Sequence, residues 1–188
     1  MGDDPVNRLH SILILAVAFL AVFVESTWNL PRHLLGAQID LLPALMVYTA
    51  LTNGIGMIAL LAVCGGLWLD SMSLNALGSS VLPLLVIGLA IHSSRELLMR
   101  EHKFAQMILG FSAGGFQPLG TLFILLNAGA APSLGWVSLW QWFVMALGCG
   151  LLTPVCFALF DRLHHAFDYP QALQISFRPD REIKRGRR

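Results

Sequence analysis

The sequence predicts an all-α fold, a polytopic integral-membrane helical bundle of about six transmembrane segments, with segments two and three short or broken. Three observations predict it. Apolar residues make up 56% of the 188 positions. Charged residues make up 12%, roughly half the share of an ordinary soluble domain. Mean hydropathy is +0.68, and the apolar residues gather into long runs. A soluble domain of this length needs a charged shell that so few charges cannot build. Disorder is excluded because it requires low hydrophobicity. Collagen-like and disulfide-rich classes are excluded as well, since Gly has no three-residue period and there are three Cys. Cys64, Cys149 and Cys156 sit in apolar runs without CxxC spacing and read as small hydrophobes.

A span needs about 17–25 apolar residues to cross a hydrocarbon core roughly 30 Å thick. Leu9–Val24 is the first run, with Arg8 before it and Glu25 after it. Its basic start resembles a signal peptide, but Glu25-Ser26-Thr27 is a poor small-residue cleavage site and more apolar runs follow. It reads as an uncleaved first helix. The stretch from Gly36 to Leu69 is apolar almost throughout but is broken at Thr52-Asn53-Gly54-Ile55-Gly56. Its halves, Gly36–Thr52 and Gly54–Leu69, are near or below the lower limit for a span, and Pro43 is expected to kink the first. Ser79–His92, Phe104–Leu126 and Leu139–Phe160 supply segments four to six. From Arg162 onward the chain is polar, and Pro170 and Pro179 oppose a long helix there. The expected division is one transmembrane domain over residues 1–165 and a basic cytoplasmic tail over 166–188.

Lysine and arginine set the orientation. Arg95, Arg100 and Lys103 lie between segments four and five, and seven more basic residues follow segment six. Two passes separate these regions, so both are cytoplasmic. Six passes put eleven of the twelve basic residues inside and leave Arg32 outside. Five passes exchange Arg32 with Arg8 and give the same count. Six passes also gather Trp28, Trp68, Trp136, Trp140 and Trp142 near the outer interface, a weak lean toward six.

Leu42-Pro43-Ala44-Leu45 opens segment two. Cys64-Gly65-Gly66-Leu67-Trp68-Leu69-Asp70 closes segment three, and Leu77-Gly78 follows. This order of a proline-leading apolar run, a Gly-x-x-x-Asp element and a later Leu-Gly resembles the rod shape-determining protein MreD family. Leu152-Thr153-Pro154 and Phe160-Asp161-Arg162-Leu163 fit the family's ending, and the resemblance covers roughly residues 9–165. The basic tail after Pro170 and the long Thr27–Gln38 connection depart from it. The resemblance implies a multipass protein of the bacterial cytoplasmic (inner) membrane. It implies work beside the bitopic protein MreC, the MreB filament and the lateral-wall synthases of the elongation machinery. The implied role is a scaffold or regulator, not a catalyst, and no cofactor is implied.

Asp70 ends an apolar run and has two readings. It contacts a partner or a neighbouring helix, since an acid in a membrane usually has a partner. Alternatively it marks where the helix leaves the bilayer, with its oxygens on nearby backbone N–H groups. Gly65, Gly66 and Gly78 are expected to allow close helix approach. Gly110 and Gly114 form a small-xxx-small pair, which Gln117 and Thr121 extend along one helical face. Ala146, Gly150 and Thr153 form a second such stripe. Both stripes are expected to face other helices, most readily within the chain. Pro118 and Pro154 are expected to bend their helices.

His92, His102, His164 and His165 lie at cytoplasmic ends without metal-ligand spacing, so interfacial solvation is expected. No Ser-His-Asp arrangement, P-loop or dinucleotide turn is visible. Ser93–Lys103 reads as an amphipathic linker in which Glu96 and Arg100 pair at i,i+4. Arg95, Arg100 and Lys103 are its candidate cytoplasmic contacts. The Arg178–Arg188 tail carries six basic and two acidic residues, suited to anionic lipid or to a cytoplasmic filament. Nucleic-acid binding is not expected, because no folded module accompanies the charge. A rival reading is a small-molecule-binding membrane subunit resembling the S component of energy-coupling factor transporters. Asn53, Gln117, Asn127 and Gln141 would line its pocket. A membrane enzyme ranks last, since no paired catalytic group is apparent in the apolar segments.

Overall fold

A computed structural model describes residues 5–27, 36–73, 76–95, 103–129 and 135–172, with side chains omitted at 5–10 and 164–172. The described residues form six helices and no strands. They are α1 (Pro5–Thr27), α2 (Leu42–Thr52), α3 (Ile55–Met72), α4 (Val81–Ser93), α5 (Lys103–Asn127) and α6 (Trp136–Ala172). The chain divides inside α6 into two compact units, residues 1–156 and 157–188.

Among the described residues three helical stretches, not six, have the length and hydropathy to cross a membrane: Ile55–Met72, Lys103–Asn127 and Trp136–Leu163. The apolar stretches Ser11–Thr27, Leu42–Thr52 and Val81–Ser93 are shorter. At 1.5 Å per residue the 11 residues of α2 rise only about 16 Å, roughly half a hydrocarbon core.

The short second element is the centre of the first unit. Leu42 to Leu51 are all buried, so α2 is apolar on every side, as a helix packed all round must be. It packs against α1, α3, α4 and α5. Residues 36–41 ahead of it are not helical, so the helix takes only the last 11 residues of the Gly36–Thr52 segment. Pro43 does not kink this helix. It stands in the first turn, where a missing N–H removes no intrahelical bond. Asn53 and Gly54 turn the chain directly into α3.

Polar and apolar residues are distributed inside out. Leu20, Phe123 and Val137 are 63%, 68% and 72% exposed, while Asp40, Asp70, Gln106, Gln117 and Thr153 are buried. Water would penalise that outer surface, and hydrocarbon would not. Long apolar helices with such a surface make a membrane-embedded helical bundle the natural architecture.

The last helix also differs from expectation. Alpha-6 runs 37 residues, past Arg162 and through Pro170. Residues 161–169 contain neither Gly nor Pro, so nothing in the backbone stops the helix where the polar residues begin. Pro170 falls in the last turn, and the helix ends two residues later.

Candidate functional site

The Gly66–Asp70 element is a clamp between α3 and the start of α4. Steps of four place Gly66 and Asp70 on one face of α3. At Gly66 a Cβ would stand 2.9 Å from Val81 Cα and 3.0 Å from Val81 N, so only glycine lets the α4 backbone come this close. One turn later Asp70 is 1% exposed. Its Oδ2 accepts the Gly78 N–H at 2.8 Å and the Ser80 N–H at 3.1 Å, and Ser79 Oγ lies 3.4 Å from Oδ1. These groups sit at the α4 N-terminus, where N–H groups lack helical acceptors. The structure combines parts of both readings of Asp70: it contacts the neighbouring helix α4, and it does so through backbone N–H groups. A Cβ on Gly65 would stand 3.0 Å from the Leu42 side chain. Gly78 does not serve close approach, since nothing lies within 4 Å of its Cβ position. Its φ of +92° is what requires glycine, because an L side chain is strained there.

The two small-residue stripes meet each other. A Cβ on Gly110 would collide with Thr153 Oγ1 and stand 2.8 Å from the Cys149 carbonyl oxygen. A Cβ on Gly114 would strike the Cys149 side chain, and one on Gly150 would stand 3.1 Å from the Met107 carbonyl oxygen. Thr153 donates its own hydroxyl to the Cys149 carbonyl at 2.8 Å. Pro118 inside α5 offers no N–H to the Gly114 carbonyl one turn back. In the same turn the Gly115 carbonyl accepts Trp142 Nε1 at 2.7 Å, tying α6 to α5.

His92 is not merely solvated at an interface. Its Nδ1 lies 3.1 Å from the Ala50 carbonyl oxygen, and that contact needs the Nδ1–H tautomer. Ala50 is in the last turn of α2, so His92 serves one of that helix's open carbonyls. Arg95 and Lys103 are exposed. Arg100, Glu96 and His102 lie outside the described residues, as does the 178–188 tail. Of the four polar residues suggested for a pocket, only Gln117 is buried. Asn127 donates to the Phe123 carbonyl, Gln141 is exposed, and Asn53 Oδ1 takes the Thr52 hydroxyl at 2.6 Å.

Gln117 leads to a cluster that the sequence reading missed. Its Nε2 donates to Asp40 Oδ2 at 2.8 Å. Asp40 Oδ1 accepts the Leu42 N–H at 3.0 Å, so Asp40 opens α2 with an i,i+2 side-chain turn. Glu25, near the end of α1, takes Gln38 Nε2 on Oε1 at 3.0 Å. Glu25 Oε2 and Gln117 Oε1 are buried and have no hydrogen-bond partner. Two carboxylates and two amides thus join α1, the 38–40 segment and α5. A sequence signal for part of this existed. An Asp three residues before Pro43 is an N-terminal helix signature, with an Asx acceptor and then a first-turn proline.

No protein-family model, curated protein or solved structure matches the chain.

Proposed function

We propose that this protein is a non-catalytic membrane scaffold of the MreD type, serving the bacterial rod-shape machinery. It would pack beside MreC in the cytoplasmic membrane and connect the MreB filament to the lateral-wall synthases. The observation that carries the reading is the physical unity of the residues behind the resemblance. Pro43 starts the buried helix, Gly66 admits the α4 backbone, Asp70 holds the α4 N-terminus, and Gly78 makes the turn between them. Four separated residues thus specify one packing arrangement, which is what a scaffold requires. Asp70 acts by shaping the α3–α4 connection, and the exposed apolar helix faces are left for lipid and for MreC. Six passes, with both termini cytoplasmic, agree with the lysine and arginine distribution and require α2 and α4 to cross with help from their flanking residues.

The test is a mild-detergent pull-down of the tagged protein at native expression, read by mass spectrometry. Enrichment of MreC and wall-elongation enzymes is the expected result. Recovery of an ATPase module without MreC would overturn the scaffold reading. It would favour the S-component-like alternative, for which the buried Asp40–Gln117 pair is the supporting observation.

A further inference from the structure

The Glu25–Gln38–Asp40–Gln117 cluster has more acceptors than donors. Asp40 is served on both oxygens, by the Leu42 N–H and by Gln117 Nε2. It also sits at the N-terminus of α2, where the helix carries roughly half a positive charge. Glu25 has Gln38 on one oxygen and no hydrogen-bond partner on the other. Gln117 is 3% exposed, and its Oε1 lacks a partner although the same planar amide is anchored to Asp40 through Nε2. Turning the amide over would set an oxygen against a carboxylate, so the orphan acceptor cannot be removed that way. Among the described residues no Lys, Arg or His is bonded to either carboxylate.

The open atoms define the ligand class. Both are hard oxygens, which select neither zinc nor copper. Among the described residues no group of three or more His, Cys, Asp or Glu could hold a metal, so the third contributor here is an amide. Calcium is usually caged by several carboxylates and magnesium keeps most of its own waters, whereas a single uncompensated carboxylate suits a monovalent ion. Asp40 already has a helix N-terminus and the Gln117 amide for its charge, whereas Glu25 has the Gln38 amide and no helix N-terminus. One further positive charge would offset the carboxylate that the described residues leave uncompensated. Glu25 is only half-buried as a residue while its Oε2 is enclosed, so the cluster reaches from the edge of α1 to the interior at Gln117.

We propose that Glu25 and Gln117, backed by Asp40, form a site for one small monovalent cation of the sodium, potassium and ammonium class. Its occupancy ties α1 to α5 through the segment that starts α2. The neighbouring Ile39 packs on Gly148 of α6, so the same segment also fixes the first half of that helix. The site stands independently of the scaffold reading.

The test uses the full-length protein in mild detergent, melted in chloride salts of sodium, potassium, ammonium or choline at equal ionic strength. Choline is too large for the site and sets the baseline. A saturable rise in Tm of about 5 °C or more with one of the small cations is expected. Glu25→Gln and Gln117→Leu should each abolish that rise. Glu25→Gln should melt in choline no lower than the native protein, because it removes a charge and keeps the shape. Equilibrium binding of radioactive sodium to the native protein, lost in Glu25→Gln, gives a readout independent of folding. A melting temperature indifferent to all four salts, with no bound sodium, would overturn the proposal. So would one that follows pH alone, since a proton rather than a cation would then satisfy Glu25.

Discussion

Replacing Asp70 separates a folding role from a partner role. Asp70→Ala leaves the Gly78 and Ser80 N–H groups without their acceptor. An unsatisfied buried donor costs about 1–3 kcal/mol. Gly78 is half-buried, so water can recover part of its loss, whereas Ser80 is buried. The sum is about 2–4 kcal/mol, or roughly 5–15 °C in Tm for a chain of this length. Asp70→Asn keeps one acceptor oxygen and should cost only about 1 kcal/mol. The assay is thermal unfolding in mild detergent, followed with a thiol-reactive fluorophore. Cys149 is buried and Cys64 and Cys156 are half-buried, so the dye reports opening of the interior. The expected order is native, then Asn, then Ala. An Ala variant that melts with the native protein but fails to recover MreC would refute this reasoning and make Asp70 a partner contact.

Gly66→Ala and Gly56→Ala should move Tm in opposite directions. At Gly66 the added methyl meets Val81 backbone, and overpacking of about 1–3 kcal/mol exceeds a helix-propensity gain of about 1 kcal/mol. At Gly56 nothing lies within 4 Å, so only the gain remains, and shifts of the same sign would contradict the geometry. Gly110→Ala should destabilise by about 1–3 kcal/mol, and adding Thr153→Ala should restore part of the loss by removing one colliding atom. A double-mutant cycle showing strict additivity would count against that contact. Trp142→Phe removes the donor to the Gly115 carbonyl and should cost about 1 kcal/mol in the same melt. Reversing the charges of Arg95, Arg100 and Lys103 should alter topology and partner recovery in cells. Unchanged tag accessibility, recovery and cell shape would remove the linker from the proposed function.

Hydropathy made the helices visible but not their ends. In the Gly36–Thr52 run nearly every residue is apolar, so no periodicity separates a helix from an extended segment. Gln38 and Asp40 were the interruption that mattered, because Asp40 rather than the hydropathy fixes where α2 begins. The clamp was partly legible, since Gly66, Asp70 and Gly78 stood out as a spaced set. What each does was not legible, because it depends on the Val81 backbone and on a positive φ at Gly78. Gln117 was found as one member of a small-residue face. Its partner lies 77 residues away, beyond any local pattern.

The contacts that fix this bundle share a physical reason. Between helices in lipid, hydrophobic burial gives little, so packing and hydrogen bonds must choose the arrangement. Asp70 takes N–H groups at the start of α4, and Asp40 takes one at the start of α2. His92 serves a carbonyl at the end of α2, and Trp142 serves one beside Pro118. Three of the four recruit a backbone group at a helix end and the fourth a carbonyl in the turn before Pro118, and three of the four join different helices. Such groups exist at only a few places along a helix, so satisfying them admits few sliding positions. Trimming exposed Leu20 or Phe123 to Ala should therefore leave the fold intact, because lipid replaces what is removed. Removing Asp70 or Asp40 should loosen it, because no lipid chain can accept the freed N–H.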